Sequence, residues 1–300
     1  MTPVSKINLF VIGASKCGTT FLHDVLNMHP NICMSEVKEP YIFFGDNYQI
    51  KLDGCEDLFS SCKSEVYRGE SSPVYSETIQ FPDIPRRIFE YNPDARVIYL
   101  IREPFSRLQS VYKQTLSTGH WVNETIYGRY GRKMPMDFAD AVFSYPPFID
   151  ATKYWTHVQR YREFFPDDAI SVIFFEELVN DPEITMSSVF QWLGIDNRIQ
   201  LAFDDAQQNS GEGKTVYNPW PSRLHRVIPN SLWQAMPKNL KSLAGRFIKR
   251  LPVPTAFPAV LTAEQEALVR EIITPEVQGI YQYLGVTDDP WHFFNKLRSS

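Results

Sequence analysis

The segment "INLFVIGASKCGTTFLHDVL", residues 7–26, decides the fold class, because an apolar run, a glycine turn and an amphipathic stretch follow one another. This order predicts a buried strand, a phosphate-binding loop and a helix. The common phosphate-binding loop reads G-x-x-x-x-G-K-[ST], with lysine directly after the second glycine. Here Gly13 and Gly18 keep the spacing, but Thr19 stands at the lysine position and Lys16 lies inside the loop. The segment therefore predicts an anion site built differently from that of a common nucleotide hydrolase.

Strands and helices are predicted to alternate along the chain. The nearly continuous apolar runs at 8–12, 97–101 and 170–174 predict parallel strands covered on both faces. Helices are predicted near 19–28, 82–91, 104–117, 136–144, 150–164 and 182–193, and from a capping box at 262–265 to about Ile273. The alternation predicts an α/β fold, a P-loop-NTPase-like parallel sheet flanked by helices. With no convincing linker, residues 1–300 are expected to form one domain, its core at about 7–211 and a loop-rich and helical extension at 212–300.

Composition and charge exclude several classes of protein. A hydrophobic fraction of 43% excludes disorder, and a net charge of −5 argues against a general nucleic-acid binder. The N-terminus lacks the pattern of a secretory signal, and no apolar run is long enough to span a membrane, so a cytoplasmic location is expected. Cys17, Cys33, Cys55 and Cys62 form no C-x-x-C pair. They are expected to be reduced, with a Cys55–Cys62 bridge as the alternative.

The predicted loop at residues 13–18 has several features that favour the binding of an anion. A strand–turn–helix unit directs several backbone N–H groups and the positive end of a helix dipole at one point. The two glycines permit close approach of the backbone, Thr19 and Thr20 add hydroxyl donors, and Lys16 supplies a charge. The alternative is a tight strand–helix turn that binds nothing.

A second anion site is predicted at the end of the strand at 97–101. A magnesium-dependent nucleotide hydrolase has an aspartate near such a position, but this chain has Arg102. Ser110 follows eight residues later, where its hydroxyl is expected to meet the same phosphate, whereas Arg107 is expected on another face as a salt-bridge or solvent residue. Two anion sites without a metal predict a nucleotide phosphorylated at both ends of its ribose. A P-loop kinase or other phosphotransferase, and a non-catalytic nucleotide-binding protein, remain the competing interpretations.

Four segments in this order resemble one enzyme family: "SKCGTTFL", "HPNICMSEVKEPYIFF", "RGESSPVY" and "VIYLIREPFSRLQSVY". Together they resemble sulfotransferases that use 3′-phosphoadenosine 5′-phosphosulfate, above all the heparan-sulfate-type branch and its bacterial relatives. The resemblance covers most of residues 8–211 and ends with "NSG" at 209–211. It implies a P-loop-like α/β fold and transfer of a sulfuryl group to a hydroxyl or amine, with that nucleotide as the donor and no metal.

The resemblance also implies the residues that hold the donor. The 5′-phosphosulfate would lie on Lys16, Cys17, Gly18, Thr19 and Thr20, and the 3′-phosphate on Arg102 and Ser110. Lys16 would also stabilise the charge that develops on the leaving phosphate, which is a catalytic role that needs no metal. Lys214, in the loop after "NSG", would close over the nucleotide, with a solvated surface lysine as the alternative.

The general base implied by the resemblance is Glu39, which the aromatic residues of "EPYIFF" would half-bury. One extra residue precedes the phenylalanine pair relative to the commoner family pattern, so Glu36 is the fallback. His120 is a rival base, because cytosolic small-molecule sulfotransferases use a histidine. Ser71 lies in a segment that lines the active site in the family, at a position where relatives often have lysine.

The acceptor is predicted only as a class. Residues 113–150 form a long insertion rich in aromatic side chains, and Trp121 with its neighbours could stack on a sugar or ring, although ordinary packing explains them equally well. The overall negative charge offers no long basic groove for a polyanion. A small-molecule, glycolipid or saccharide acceptor is therefore expected.

Overall fold

A computed structural model describes residues 6–118, 134–199 and 258–294 of the chain. Within these residues, five parallel strands form one sheet in the order β2-β3-β1-β4-β5. The strands are β1 (Leu9–Gly13), β2 (Ile32–Met34), β3 (Tyr67–Ser71), β4 (Arg96–Ile101) and β5 (Ile170–Phe174). The chain leaves β1 towards β2 and β3 on one side and later crosses to β4 on the other. In such sheets the crevice at the carboxyl ends of the central strands is where ligands bind.

Helices cover both faces of the sheet. Those before β5 are α1 (Thr19–Leu26), α2 (Tyr48–Asp53), α3 (Ile84–Tyr91), α4 (Pro104–Thr118), α5 (Phe138–Ser144) and α6 (Tyr154–Arg162). Those after it are α7 (Phe175–Asn180), α8 (Pro182–Leu193) and α9 (Ala263–Leu284). Short 3₁₀ turns occur at Cys55–Phe59, Pro73–Ser76, Asp150–Thr152 and Asp167–Ala169.

The parallel α/β sheet flanked by helices that the sequence predicts is confirmed. All five residues of β1 are buried, as are all but the first residue of β4, which explains why both read as unbroken apolar runs. The prediction missed β2 and β3. β2 has only three residues, and β3 reads "YRGES", which carries two charged residues and no apolar run.

Helix α9 differs from the prediction at its end. Its predicted capping box is present, since the Thr262 hydroxyl accepts the Gln265 amide and the Gln265 side chain accepts the Thr262 amide. The expected end near Ile273 is wrong, because the helix continues through Pro275 to Leu284. Its apolar face continues beyond the proline and packs against α6, and this tertiary burial outweighs the proline's local effect.

The cysteine prediction is corrected by a disulfide between Cys33 and Cys62, whose Cα atoms are 5.8 Å apart. Cys33 lies in β2 and Cys62 follows the 3₁₀ turn Cys55–Phe59, so the bridge joins residues 29 positions apart. Cys17 and Cys55 carry free, buried thiols, so the alternative Cys55–Cys62 bridge is also wrong. Sequence spacing favoured the local pair, whereas the sheet brings the distant pair together.

Two further predictions concern the extent of the chain. Among the described residues, no helix combines the length and the apolarity needed to cross a lipid bilayer. The single-domain organisation stays a prediction. Residues 119–133 and 200–257 lie outside the described residues, and with them His120, Trp121, Lys214 and most of the expected extension.

Candidate active site

The loop between β1 and α1 has the backbone shape of an anion-binding turn. The φ angle is 70° at Lys16 and 84° at Gly18, so two residues of the loop adopt a left-handed backbone conformation. Lysine is rarely held in this region without a compensating constraint, and such constraints cluster at functional sites. At Gly13, a Cβ atom would lie 2.3 Å from Ser76 Oγ, so only glycine fits between β1 and the turn that follows β3.

The loop presents N–H groups rather than a thiolate. The Cys17 amide donates to the Ala14 carbonyl at 3.2 Å, which closes the turn. Burial raises the pKa of the Cys17 thiol to about 11, against the opposing effects of Arg107 and Arg102, so the thiol stays neutral at physiological pH. The first N–H groups of α1 have no partner within the helix and are available to an anion. Thr19 is buried at this helix start.

Arg102, at the end of β4, contacts the loop directly. Its guanidinium donates to the Lys16 carbonyl at 3.2 Å and lies 4.5 Å from the centre of the Phe175 ring. The Tyr154 hydroxyl donates to the Arg102 carbonyl at 2.8 Å. The two residues that the sequence assigns to opposite ends of one nucleotide therefore lie at the same edge of the sheet.

One face of α4 is turned towards the loop. Arg107, Ser110 and Gln114 are spaced by three and four residues, which places them on a common helix face. Arg107 Nε donates to the Ser15 carbonyl at 3.1 Å, and Lys16 Nζ donates to Gln114 Oε1 at 3.4 Å. Ser110 lies between these two contacts and is partly buried. That its hydroxyl meets the same phosphate as Arg102 stays a prediction.

Arg107 is the clearest correction to the sequence-based assignment of residues. It is neither a solvent residue nor, among the described residues, part of a salt bridge, and its side chain is fully buried. Besides Ser15, its guanidinium donates to the carbonyls of Phe148 and Pro147 and, at 2.6 Å, to the Thr152 hydroxyl. The partners named here are all neutral, and the guanidinium lies directly behind the phosphate loop.

The segment of residues 38–45, called the base loop below, carries Glu39. One Glu39 oxygen accepts from Lys38 Nζ at 2.7 Å and the other from the Tyr41 hydroxyl. The Glu39 side chain retains 36% exposure, which leaves it open to an acceptor as well as to solvent. Glu39 and Tyr41 both adopt positive φ, 59° and 53°, so the turn around Pro40 is conformationally strained.

Basic side chains hold the carbonyls of the base loop. Lys51 Nζ donates to the Tyr41 carbonyl at 3.0 Å and to the Phe44 carbonyl at 2.7 Å. Arg87 donates to the Phe43 carbonyl at 3.1 Å and to the Gly45 carbonyl at 2.9 Å. The loop is therefore anchored at its far end as well as at β3, where the Glu39 amide donates to the Ser71 carbonyl at 3.1 Å.

A model of the sulfotransferase domain family matches residues 6–223 of the chain, which is most of its length. The chain belongs to this sulfotransferase family. The family predicted from the four sequence segments is thereby confirmed.

Curated relatives and a solved structure agree with this assignment. The chain is 23% identical over 189 residues to mouse heparan sulfate glucosamine 3-O-sulfotransferase 5, a match that covers 63% of this chain and 54% of the relative. It is 27% identical over 208 residues to the human bifunctional heparan sulfate N-deacetylase/N-sulfotransferase 2, covering 65% of this chain and 23% of the relative. The chain thus spans about half the length of the first of these relatives and less of the second. A sulfotransferase from Alicyclobacillus acidocaldarius has the same fold, with a TM-score of 0.54 at 22% identity over 68% of this chain and 89% of that one.

Two other predicted residues of the sulfotransferase lie near the base loop without touching Glu39's carboxylate. Ser71 is fully buried at the end of β3, and its hydroxyl has no hydrogen-bond partner among the described residues. Glu36, the fallback base, is exposed and accepts from the Ser60 hydroxyl at 2.8 Å and the Ser61 amide at 3.2 Å. These bonds, that of Ser60 first, lower the Glu36 pKa, which makes it a weaker proton acceptor than an ordinary glutamate.

The sequence reasoning missed one charged group at the site, Glu70 in β3. Its carboxyl is fully buried, one oxygen accepts from the Ser72 hydroxyl at 2.7 Å, and the other has no hydrogen-bond partner. Burial raises the Glu70 pKa to about 7, although Tyr75 and Ser72 partly oppose this effect. The signal was present in "RGESSPVY", where a glutamate precedes two serines, but without a visible strand nothing indicated that it is buried.

Proposed function

We propose that this protein transfers a sulfuryl group from 3′-phosphoadenosine 5′-phosphosulfate to a hydroxyl or amine of a small-molecule, glycolipid or saccharide acceptor, without a metal. The observation that carries the proposal is the 3.2 Å contact between the Arg102 guanidinium and the Lys16 carbonyl. It places a cation from the end of β4 against the anion-binding turn after β1. Two adjacent cationic positions suit a nucleotide that carries phosphate at both ends of its ribose.

The residues of the phosphate loop fit the donor's sulfated end. Lys16 and the amides at the start of α1 would stabilise the negative charge that develops on the leaving phosphate. The buried charge of Arg107 behind the loop adds to that field. Arg102 and Ser110 would hold the 3′-phosphate and fix the nucleotide's direction, so that the sulfur faces the base loop.

Glu39 is proposed as the general base. As the new bond from the acceptor oxygen to sulfur forms and the bond from sulfur to the phosphate oxygen breaks, Glu39 would take the acceptor's proton. Lys38 and Tyr41 each donate a hydrogen bond to one oxygen of the Glu39 carboxylate, so an acceptor hydroxyl would replace one of these two donors. His120 remains the competing base.

The acceptor class is proposed from the relatives alone. The two curated relatives named above carry the words 3-O-sulfotransferase and N-sulfotransferase, so both hydroxyl and amine acceptors are represented among similar proteins. Glucosamine-containing oligosaccharides are therefore the first acceptors to assay with ³⁵S-labelled donor, followed by a glycolipid and a simple phenol. The cytoplasmic location also stays a prediction. The Cys33–Cys62 disulfide is more typical of oxidising compartments, so thiol labelling in cell extracts is the appropriate check.

The donor assignment is tested by ligand stabilisation. Adenosine 3′,5′-bisphosphate should raise the melting temperature, because it offers a phosphate to each cationic position, whereas ATP with Mg²⁺ should raise it less. Stabilisation by ATP with Mg²⁺ alone would instead favour a kinase. Stabilisation by the bisphosphate without transfer to any acceptor would favour a non-catalytic nucleotide-binding protein.

The base assignment is tested by Glu39→Gln. This variant should lose turnover and keep its affinity for adenosine 3′,5′-bisphosphate within about twofold, since the Glu39 carboxylate accepts from Lys38 and Tyr41, which lie outside the phosphate loop. Glu36→Gln is the matched control and should retain turnover. It changes a neighbouring carboxyl that accepts a hydrogen bond from Ser60. Retained turnover in Glu39→Gln would mean that another residue, such as His120, is the general base.

A further inference from the structure

Two hydroxyl groups at the end of β3 accept backbone amides of the base loop. The Tyr41 amide donates to Ser72 Oγ at 3.2 Å, and the Phe43 amide donates to the Tyr75 hydroxyl at 3.0 Å. Both hydroxyls are buried. Since Tyr41 and Phe43 follow Glu39 closely, these bonds determine where the strained turn that carries Glu39 can lie.

The Ser72 hydroxyl also contacts Glu70. Ser72 Oγ donates its only proton to Glu70 Oε2 at 2.7 Å, so its lone pairs are left to accept the Tyr41 amide. The carboxyl thus determines the direction of the hydrogen bond that reaches the Tyr41 amide.

A buried carboxyl is costly to maintain, so its presence needs a reason. Glu70 neighbours Phe10 of β1 in the sheet register, in a region otherwise filled by apolar side chains, and Phe10 packs against Phe43 of the base loop. No basic side chain pairs with Glu70 among the described residues, and one of its oxygens has no partner. An apolar residue would pack there without that penalty but would leave Ser72 without its acceptor.

We propose that Glu70 is a positioning residue that, through Ser72, holds the base loop so that Glu39 faces the reacting atoms. The proposal rests on the proposed function for its catalytic consequence, but its structural part stands by itself. Glu70 touches neither donor nor acceptor. It acts by aligning the Ser72 hydroxyl, which fixes the Tyr41 amide.

The structural part is tested by hydrogen exchange, which needs no substrate. Ser72→Ala removes the acceptor of the Tyr41 amide, and that amide should exchange about tenfold faster, while Glu70→Leu, which removes the acceptor of the Ser72 proton, should also accelerate exchange at Tyr41. Thr78→Val is the matched control. It removes another buried hydroxyl, which bonds His157 at 2.9 Å, and should leave exchange in the base loop unchanged. Unchanged exchange in Ser72→Ala would overturn the proposal.

The catalytic part is tested by comparing the effect of a substitution on turnover with its effect on nucleotide affinity. With ³⁵S-labelled donor and a glucosamine-containing oligosaccharide, Ser72→Ala should lower kcat about tenfold or more, as expected for a misplaced catalytic group, and keep bisphosphate affinity within about twofold. Added to Glu39→Gln, it should cause no further loss, because Ser72 acts through Glu39. A further loss in the double variant, or an equal loss of nucleotide affinity, would overturn this part. Absence of turnover in the wild-type protein would count against the proposed function, while the exchange result still decides the structural role.

Discussion

Replacing Glu70 by glutamine changes how the stability of the protein depends on pH. The Glu70 carboxyl is fully buried, and this burial raises its pKa from the usual 4.5 to about 7. Below pH 4.5 the carboxyl is protonated in both the folded and the unfolded chain. Between pH 4.5 and 7 the unfolded chain releases the proton while the folded chain keeps it, so the free energy of unfolding falls as pH rises. Above pH 7 the Glu70 carboxyl is ionised in both the folded and the unfolded chain, and the loss of stability is complete.

The size of the effect follows from the two pKa values. Each pKa unit corresponds to about 1.36 kcal/mol, so the step from 4.5 to about 7 amounts to about 3 kcal/mol of lost stability. Because the side chain is fully buried, solvent screening does not reduce this figure greatly. Glutamine has the same shape and does not titrate, so the wild-type protein should lose about 3 kcal/mol relative to Glu70→Gln between pH 4.5 and 8.

Urea denaturation of both proteins at intervals from pH 3.5 to 8.5 measures this difference, and the titration of all other groups cancels in it. Glu36→Gln is the control of opposite sign, since hydrogen bonds lower the Glu36 pKa. There the wild-type protein should lose stability relative to the variant only as pH falls below about 4.5. A difference between wild type and Glu70→Gln that stays flat, or that grows in favour of wild type as pH rises, would refute the burial argument.

Three further variants test the site and its support. Arg102→Ala should weaken binding of adenosine 3′,5′-bisphosphate by at least about 1.5 kcal/mol, roughly tenfold by calorimetry, because a charge-assisted contact is lost; unchanged affinity would remove Arg102 from the nucleotide site. Arg107→Lys should lower stability by about 2 kcal/mol or more, since lysine cannot bond all four acceptors of the guanidinium. The exposed Arg86→Lys serves as its control in urea denaturation, and equal effects of the two would contradict the network described. Cys33→Ser should cost about 3–4 kcal/mol from the 29-residue separation of Cys33 and Cys62, and a reductant should bring wild type down to the variant. An unaffected melting curve would mean that the bridge is absent in solution.

Sequence patterns were reliable where the local signal and the tertiary environment agree. β1 and β4 are buried on both faces, so their composition alone identified them as parallel strands. The spacing of Gly13, Lys16 and Gly18 indicated a turn after β1 whose shape depends on local backbone conformations, which the positive φ angles of Lys16 and Gly18 reflect. That this turn binds an anion stays a prediction.

Patterns failed where a residue's environment comes from distant parts of the chain. Arg107 was assigned to another face of its helix, yet it bonds Ser15 and the carbonyls of Pro147 and Phe148, about 40 or more positions away on either side. The predicted end of helix α9 lies too early in the sequence for the same reason. The packing of this helix on α6 cannot be read from the sequence of the helix alone.

The sequence by itself determined the parallel α/β architecture, the position of the turn after β1 and the sulfotransferase family, because periodicity, glycine spacing and motif order are local properties of the chain. Only the tertiary structure decided that Arg102 meets Lys16, that Cys33 pairs with Cys62, and that a buried Glu70 lies beneath the base loop. These are relations between strands and loops far apart in sequence. Their energies depend on desolvation and on partners that only folding brings within hydrogen-bonding distance.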